Sequence, residues 1–172
     1  MLICQTKRLK IREITKSDAP FVHTLYNTDL FIQFVGDKKI KNHKDAEKYI
    51  KNNIIKQYQE NGFGLYLVSL SEEEKSIGIC GLIKRDYLEN VDIGYGFLPD
   101  FFGHGYAFEA AKSILQLAKN VHKLNTVVAI TLAHNHNCIK LLNKLGFKFQ
   151  KQTHDPKTMT KLEQYDWKLK SL

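Results

Sequence analysis

The stretch FFGHGYAFEAAK, residues 101–112, begins a helix in an unusual way. Gly103 and Gly105 alternate with bulky residues, and an Ala/Glu-rich amphipathic run follows at once. Helices usually open on Ser, Thr, Asp or Asn, whose side chain satisfies a free backbone N–H. Here Tyr106, Ala107 and Phe108 occupy that region, and none is a strong cap. Glycine lets the backbone turn sharply and approach a ligand closely. An uncapped start leaves N–H donors and about half a positive charge available to an outside anion, commonly phosphate. Glu109, one turn inside, suits the helix dipole but repels a phosphate placed too near. The glycines alone are equally compatible with a plain tight turn whose N–H groups meet water. No Gly-Lys-Ser/Thr follows, as a nucleoside-triphosphate loop requires, and the third glycine of a dinucleotide fingerprint is missing.

Working outward, VDIGYGFL (91–98) reads as a strand ended by Pro99. The helix is expected from about Ala107 to Leu124, with Phe108, Ala111, Ile114, Leu115 and Ala118 on one face. TVVAITLA (126–133) has the β-branched content of a buried strand. A helix between two such strands makes a parallel crossover. Upstream, RLKIREI (8–14) alternates as a strand, and Ser17 to Pro20 open a helix that runs to about Asn27. The state of DLFIQFVG (29–36) stays open because it is apolar and short. Residues 43–62 form a helix stopped by Gly62, and 63–70 with 77–85 form a hairpin around SEEEKS. NCIKLLNKLGF (137–147) is a short helix closed by Gly146, and FKFQ and YDWKLKSL are final strands. This order gives one α+β or α/β domain over residues 1–172.

A chain of 172 residues can bury roughly 70% of its unfolded surface, so its core needs no staple. Three scattered cysteines, Cys4, Cys80 and Cys138, argue against a disulfide framework and for a reducing compartment. The apolar run at the N-terminus is too short for a signal peptide, and none approaches the ~20 residues of a membrane span. A cytoplasmic protein is expected, with no membrane partner. A net charge of +8 favours anionic partners without choosing among them.

Three segments, in order, carry a family resemblance. DIGYGFLPDFFGHGYAFEAAK, AHNHNCIKLLNKLGF and RLKIREITKSDAPFVHTLYN resemble the GNAT superfamily of N-acetyltransferases, in particular its RimJ/RimL-like branch. The resemblance implies a mixed, mainly antiparallel twisted sheet flanked by helices, with a β-loop-α acyl-CoA unit. It implies acetyl-CoA as acetyl donor and a primary amine as acceptor, either a protein N-terminus or a small amine. The backbone N–H groups of Gly103, His104, Gly105, Tyr106, Ala107 and Phe108 would hold the coenzyme A pyrophosphate. Phe97 and Leu98 would pair with the pantetheine arm, and Asn135 would contact it. Phe102 replaces the polar residue that opens the family's loop pattern. Cys138 stands where this branch often has Ser, and Leu142 where other branches place a tyrosine acid. Cys138 or water is then left to protonate the departing thiolate.

Deprotonating the amine needs a base, because an amine of pKa about 10.4 is neutral in roughly one molecule in 2,500 at pH 7. Asp92, on the strand feeding the loop, is the candidate, acting through water; the competing reading is a structural carboxylate paired with backbone or lysine. Tyr95, Phe31 and Phe34 are candidate acceptor contacts, each also readable as core. His134 and His136 lack a third ligand, so no metal is expected. Two other functions fit the composition: an acyl-CoA binder without turnover, and a basic RNA- or ribosome-binding module. No RNA-stacking aromatic pair supports the last, so nucleic acid is not an expected partner. The expected assembly is a monomer or homodimer.

Overall fold

The computed structural model describes residues 1–168. Eight strands make one sheet: β1 (Leu2–Gln5), β2 (Leu9–Glu13), β3 (Leu65–Leu70), β4 (Ser76–Ile83), β5 (Val91–Phe97), β6 (Thr126–Thr131), β7 (Lys148–His154) and β8 (Lys161–Lys168). They lie in the order β1-β2-β3-β4-β5-β6-β8-β7. Helices α1 (Ala19–Tyr26), α2 (Asp29–Val35), α3 (His43–Tyr49), α4 (Lys56–Asn61), α5 (Tyr106–Asn120) and α6 (His136–Leu145) flank it. Every strand pair is antiparallel except β5 with β6, which α5 connects as a crossover. The mixed, mainly antiparallel sheet expected from the sequence is therefore present.

Strand alternation divides the core between the two faces. In β3, Val68 joins Leu82, Ile93, Ile114 and Leu142 on the α5–α6 side. Its neighbour Leu67 joins Ile79, Val22, Leu25 and Ile50 on the α1–α4 side.

The parallel pair positions the site. β5 and β6 are in register only at Val91↔Val127 and Asp92↔Val128, yet both strands run on. They splay apart beyond Asp92 and leave one edge of β5 open. The Leu98 N–H donates to Ile77 O at 2.9 Å, in register with the Gly78↔Phe97 pair. Antiparallel alternation then commits the backbone of Asp92, Gly94 and Gly96 to β4, and turns that of Ile93, Tyr95 and Phe97 toward the gap.

Several elements differ from the sequence reading. Residues 29–35 are helical, because Thr28 caps Phe31 N–H and Gly36 turns out at φ 96°. The 43–61 helix contains a π-helical turn, Ile50–Ile55, which buries both Ile50 and Ile54. Helix α5 ends at Asn120 rather than Leu124, where Lys123 takes a left-handed φ of 53° and Leu124 N–H closes onto Ala118 O. Strand β1 precedes the first expected strand and has a largely exposed, non-alternating pattern.

Candidate functional site

Gly103 and Gly105 both adopt φ 79°, a left-handed conformation that favours glycine. Gly105 occupies the N-cap position of α5, and no side chain caps the helix. The first bond into the helix runs from Glu109 N–H to Gly105 O at 3.0 Å. Among the described residues, the amides of 103–108 donate to no protein acceptor. A tight turn just before them is self-satisfied, with Phe101 N–H donating to Leu98 O and Phe102 N–H to Pro99 O, each at 3.0 Å. Consecutive free amides at a helix start form a concavity for an anion. They lie directly after the open edge of β5. An extended acyl arm pairing with Tyr95 and Phe97 would thus lead its phosphates onto the loop. Leu98 differs from expectation: its N–H is taken by Ile77 and its carbonyl already accepts from Phe101, so it offers no free donor to such an arm.

Asp92 lies at the fork of the splay and is 2% exposed. The Arg85 Nε donates to its Oδ2 at 2.7 Å. The register places Ile83 opposite Asp92, so Arg85, two residues further along the chain, is a diagonal neighbour on the same face. Its other oxygen, Oδ1, is buried without a hydrogen bond. Burial pushes the Asp92 carboxyl up to about 6, against the opposing pull of Arg85 and of the Ile130 N–H, which lies near but outside hydrogen-bond geometry. A carboxyl of that pKa is largely ionised at pH 7 and can take up a proton, the balance a general base requires. The same carboxylate is also the structural partner of Arg85.

Tyr95 makes its polar contact across the gap, with α6. Asp92 and Tyr95 are three residues apart on one strand, so they face opposite sides of the sheet. The Tyr95 hydroxyl lies 3.0 Å from Cys138 Sγ at the start of α6, within hydrogen-bonding distance. Burial pushes both groups up, so both are protonated at neutral pH. Thr131 is buried nearby, at the end of β6. Asn135 caps α6 by accepting from Cys138 N–H at 3.2 Å, which fixes the thiol at the open end of the splay. Leu142 is wholly buried and serves the α5–α6 core.

Phe31 packs into the core on the α1–α4 side. It is 6% exposed, its ring centroid is 4.2 Å from that of Tyr26, and it lies against Gly96 so closely that an added Cβ would come within 3.0 Å. Phe34 is half-buried, and its ring stands 5.9 Å from that of His134, so α2 reaches the loop before α6. Among the described residues, no cluster of three or more His, Cys, Asp or Glu could hold a metal ion. No helix among them is long and apolar enough to cross a membrane.

The sequence reading did not find Arg85, the Tyr95–Cys138 contact, or the role of Arg8 beside the loop. Of these, only Arg85 is near its partner in the chain, seven residues before Asp92, and the β4–β5 register is what puts it on the face Asp92 uses.

The chain and its fold are similar to those of known proteins. The family model for the acetyltransferase (GNAT) domain matches residues 8–148. The N-acetyltransferase YoaA of Bacillus subtilis (strain 168), itself uncharacterized, is 23% identical over 148 residues, covering 85% of this chain and 82% of YoaA. The protein YkkB of the same organism is 27% identical over 154 residues, covering 85% of each chain. Among solved structures, a RimL ribosomal L7/L12 alpha-N-protein acetyltransferase in complex with coenzyme A superposes with a TM-score of 0.85 at 15% identity, covering 98% of both chains. An acetyltransferase from Agrobacterium tumefaciens str. C58 gives 0.82 at 18% identity, covering 96% of this chain and 94% of that one.

Proposed function

The chain belongs to the acetyltransferase (GNAT) family and is an acetyl-CoA-dependent acetyltransferase; on that premise we propose that it acetylates a primary amine, at a protein N-terminus or on a small molecule, by direct attack in a ternary complex. The observation that carries this reading is the continuity of an open strand edge with six unbonded amides at 103–108. Together they fit an amide-bearing arm that ends in a pyrophosphate. Strand addition would fix the arm through the backbone of Tyr95 and Phe97. The loop amides from Gly103 to Phe108 would take the phosphates.

The amine nitrogen attacks the thioester carbonyl, and the carbon–sulfur bond then breaks. Asp92 takes the ammonium proton through an ordered water, since its own burial denies direct contact. The Phe97 N–H, turned toward the gap, donates to the developing oxyanion. On the opposite face, the Tyr95–Cys138 pair supplies the proton that the leaving thiolate takes up. Tyr95 thereby moves from the acceptor side to the leaving-group side. Phe34 and His134 border the acceptor mouth.

The RimJ/RimL-like branch is our finer reading, supported by the sequence motifs and by the fold shared with a ribosomal-protein acetyltransferase. We also read residues 1–172 as one domain, because a single sheet joins β1 to β8, and the protein as cytoplasmic and monomeric or homodimeric.

The test is release of free thiol from acetyl-CoA across a panel of small amines and N-terminal peptides. Amine-dependent release, with a matching acetyl mass gain on the acceptor, is expected. Coenzyme A binding with no release across the panel would leave only an acyl-CoA binder. RNA affinity falling steeply with salt, without turnover, would favour the basic module instead.

A further inference from the structure

The carboxylate of Glu109 sits in the first turn of α5, at the end where a phosphate would also bind. It is turned onto the segment between β1 and β2. Thr6 Oγ1 donates to its Oε1 at 2.6 Å and the Arg8 backbone N–H at 3.2 Å. Arg8 Nε and Nη2 reach its Oε2 at 2.7 and 2.6 Å. Burial alone would raise the Glu109 carboxyl, but the bonds from Thr6 and Arg8 hold it below the usual range. The same guanidinium extends to the loop: Nη1 donates to His104 O at 2.9 Å, and the group lies 4.6 Å over the Tyr106 ring.

This second contact has a directional consequence. In a trans peptide the C=O and the following N–H point to opposite sides. With His104 O held by Arg8, the Gly105 N–H must point away from Arg8, outward from the loop. The guanidinium thus offsets the one carboxylate in the first turn and fixes the orientation of one of the donor amides.

We propose that Arg8 is a positioning residue for the phosphate-binding loop, neutralising Glu109 and setting the His104–Gly105 peptide so that the amides of 103–108 meet an anion. The proposal rests on the acetyl-CoA reading above and adds a residue outside the loop on which binding depends. The experiment is calorimetric titration of the full chain with coenzyme A, for the parent, Arg8→Met, Arg8→Lys and Arg8→Met/Glu109→Gln, with thermal melts on each.

Arg8→Met should raise Kd at least tenfold, because Glu109 then faces the pyrophosphate uncompensated. Arg8→Lys keeps the charge but loses the fork and should fall between parent and Arg8→Met. The double variant should recover most of the affinity, an outcome that a purely structural loss would not produce. Equal binding by the parent and a folded Arg8→Met overturns the proposal while leaving the acetyl-CoA reading intact. A double variant as weak as Arg8→Met overturns the neutralising role. Absence of coenzyme A binding by the parent overturns the reading beneath both.

Discussion

Asp92→Asn should lower turnover by roughly 10²–10⁴-fold, the range a lost general base produces. Coenzyme A affinity should hardly change, because Asp92 lies at the fork of the splay, away from the loop. In the parent, the carboxylate ionises at about 6, so kcat/KM should gain activity as pH rises through that value. The amine adds a separate limb at its own pKa. In the variant the limb near 6 should vanish, and the loss should shrink at high pH, where the amine deprotonates unaided.

Stability carries a linked signature. The folded pKa lies above the unfolded value of about 3.9, so the folded chain binds the extra proton. Asp92 therefore makes the parent less stable as pH rises from about 4 to about 6, and Asp92→Asn should lack this dependence. Loss of the anion also leaves Arg85 without its charged partner, so the melts must establish that the variant is folded. Near-parental turnover in a folded Asp92→Asn would remove the residue from proton transfer and leave it as the partner of Arg85.

Gly105→Val should weaken coenzyme A binding by about 10²-fold, the equivalent of about 2.7 kcal/mol. Hydrogen bonds to charged groups contribute about 1.5–3 kcal/mol each, so the misalignment of one or two loop amides accounts for this loss. The physical cause is φ 79°, where a β-branched residue is strained. Inside the protein an added Cβ would meet only Arg8 Nη2, at 3.6 Å, an ordinary contact. The cost to folding is then mainly backbone strain of about 1–2 kcal/mol, which a domain of ordinary stability survives. Affinity lost in a folded variant matches this account. Parental affinity in a folded Gly105→Val would mean that the loop amides do not hold the phosphates.

The parts of this fold that were legible in the sequence are those whose signals are local. The β5–loop–α5 unit shows itself through glycine spacing and the missing cap, and Gly62 and Gly146 mark helix ends at left-handed φ of 73° and 93°. The end of α5 was misplaced because Lys123 supplies the left-handed turn, where composition points to glycine. Residues 29–35 form an almost continuous apolar run, and a run without periodicity does not distinguish a helix from a strand. Other features depend on partners far apart in the chain. Tyr95 and Cys138 are 43 residues apart, and Thr6 and Glu109 are 103 apart. Arg85 joins Asp92 across a strand pair whose register is needed to see it. Even the placement of Tyr95 needed only the alternation of one strand, since a three-residue separation from Asp92 already puts the two on opposite faces.

The most direct measurement is a coenzyme A titration of ¹⁵N-labelled protein, followed residue by residue through the backbone amide resonances. The largest shifts should fall on Gly103, His104, Gly105, Tyr106, Ala107 and Phe108, with a second group at Tyr95 and Phe97 along the open edge of β5. The Leu98 amide, committed to Ile77, should move less than that of Phe97. Saturable binding whose shifts map elsewhere, with the 103–108 amides unmoved, would contradict binding of coenzyme A at this loop and strand edge.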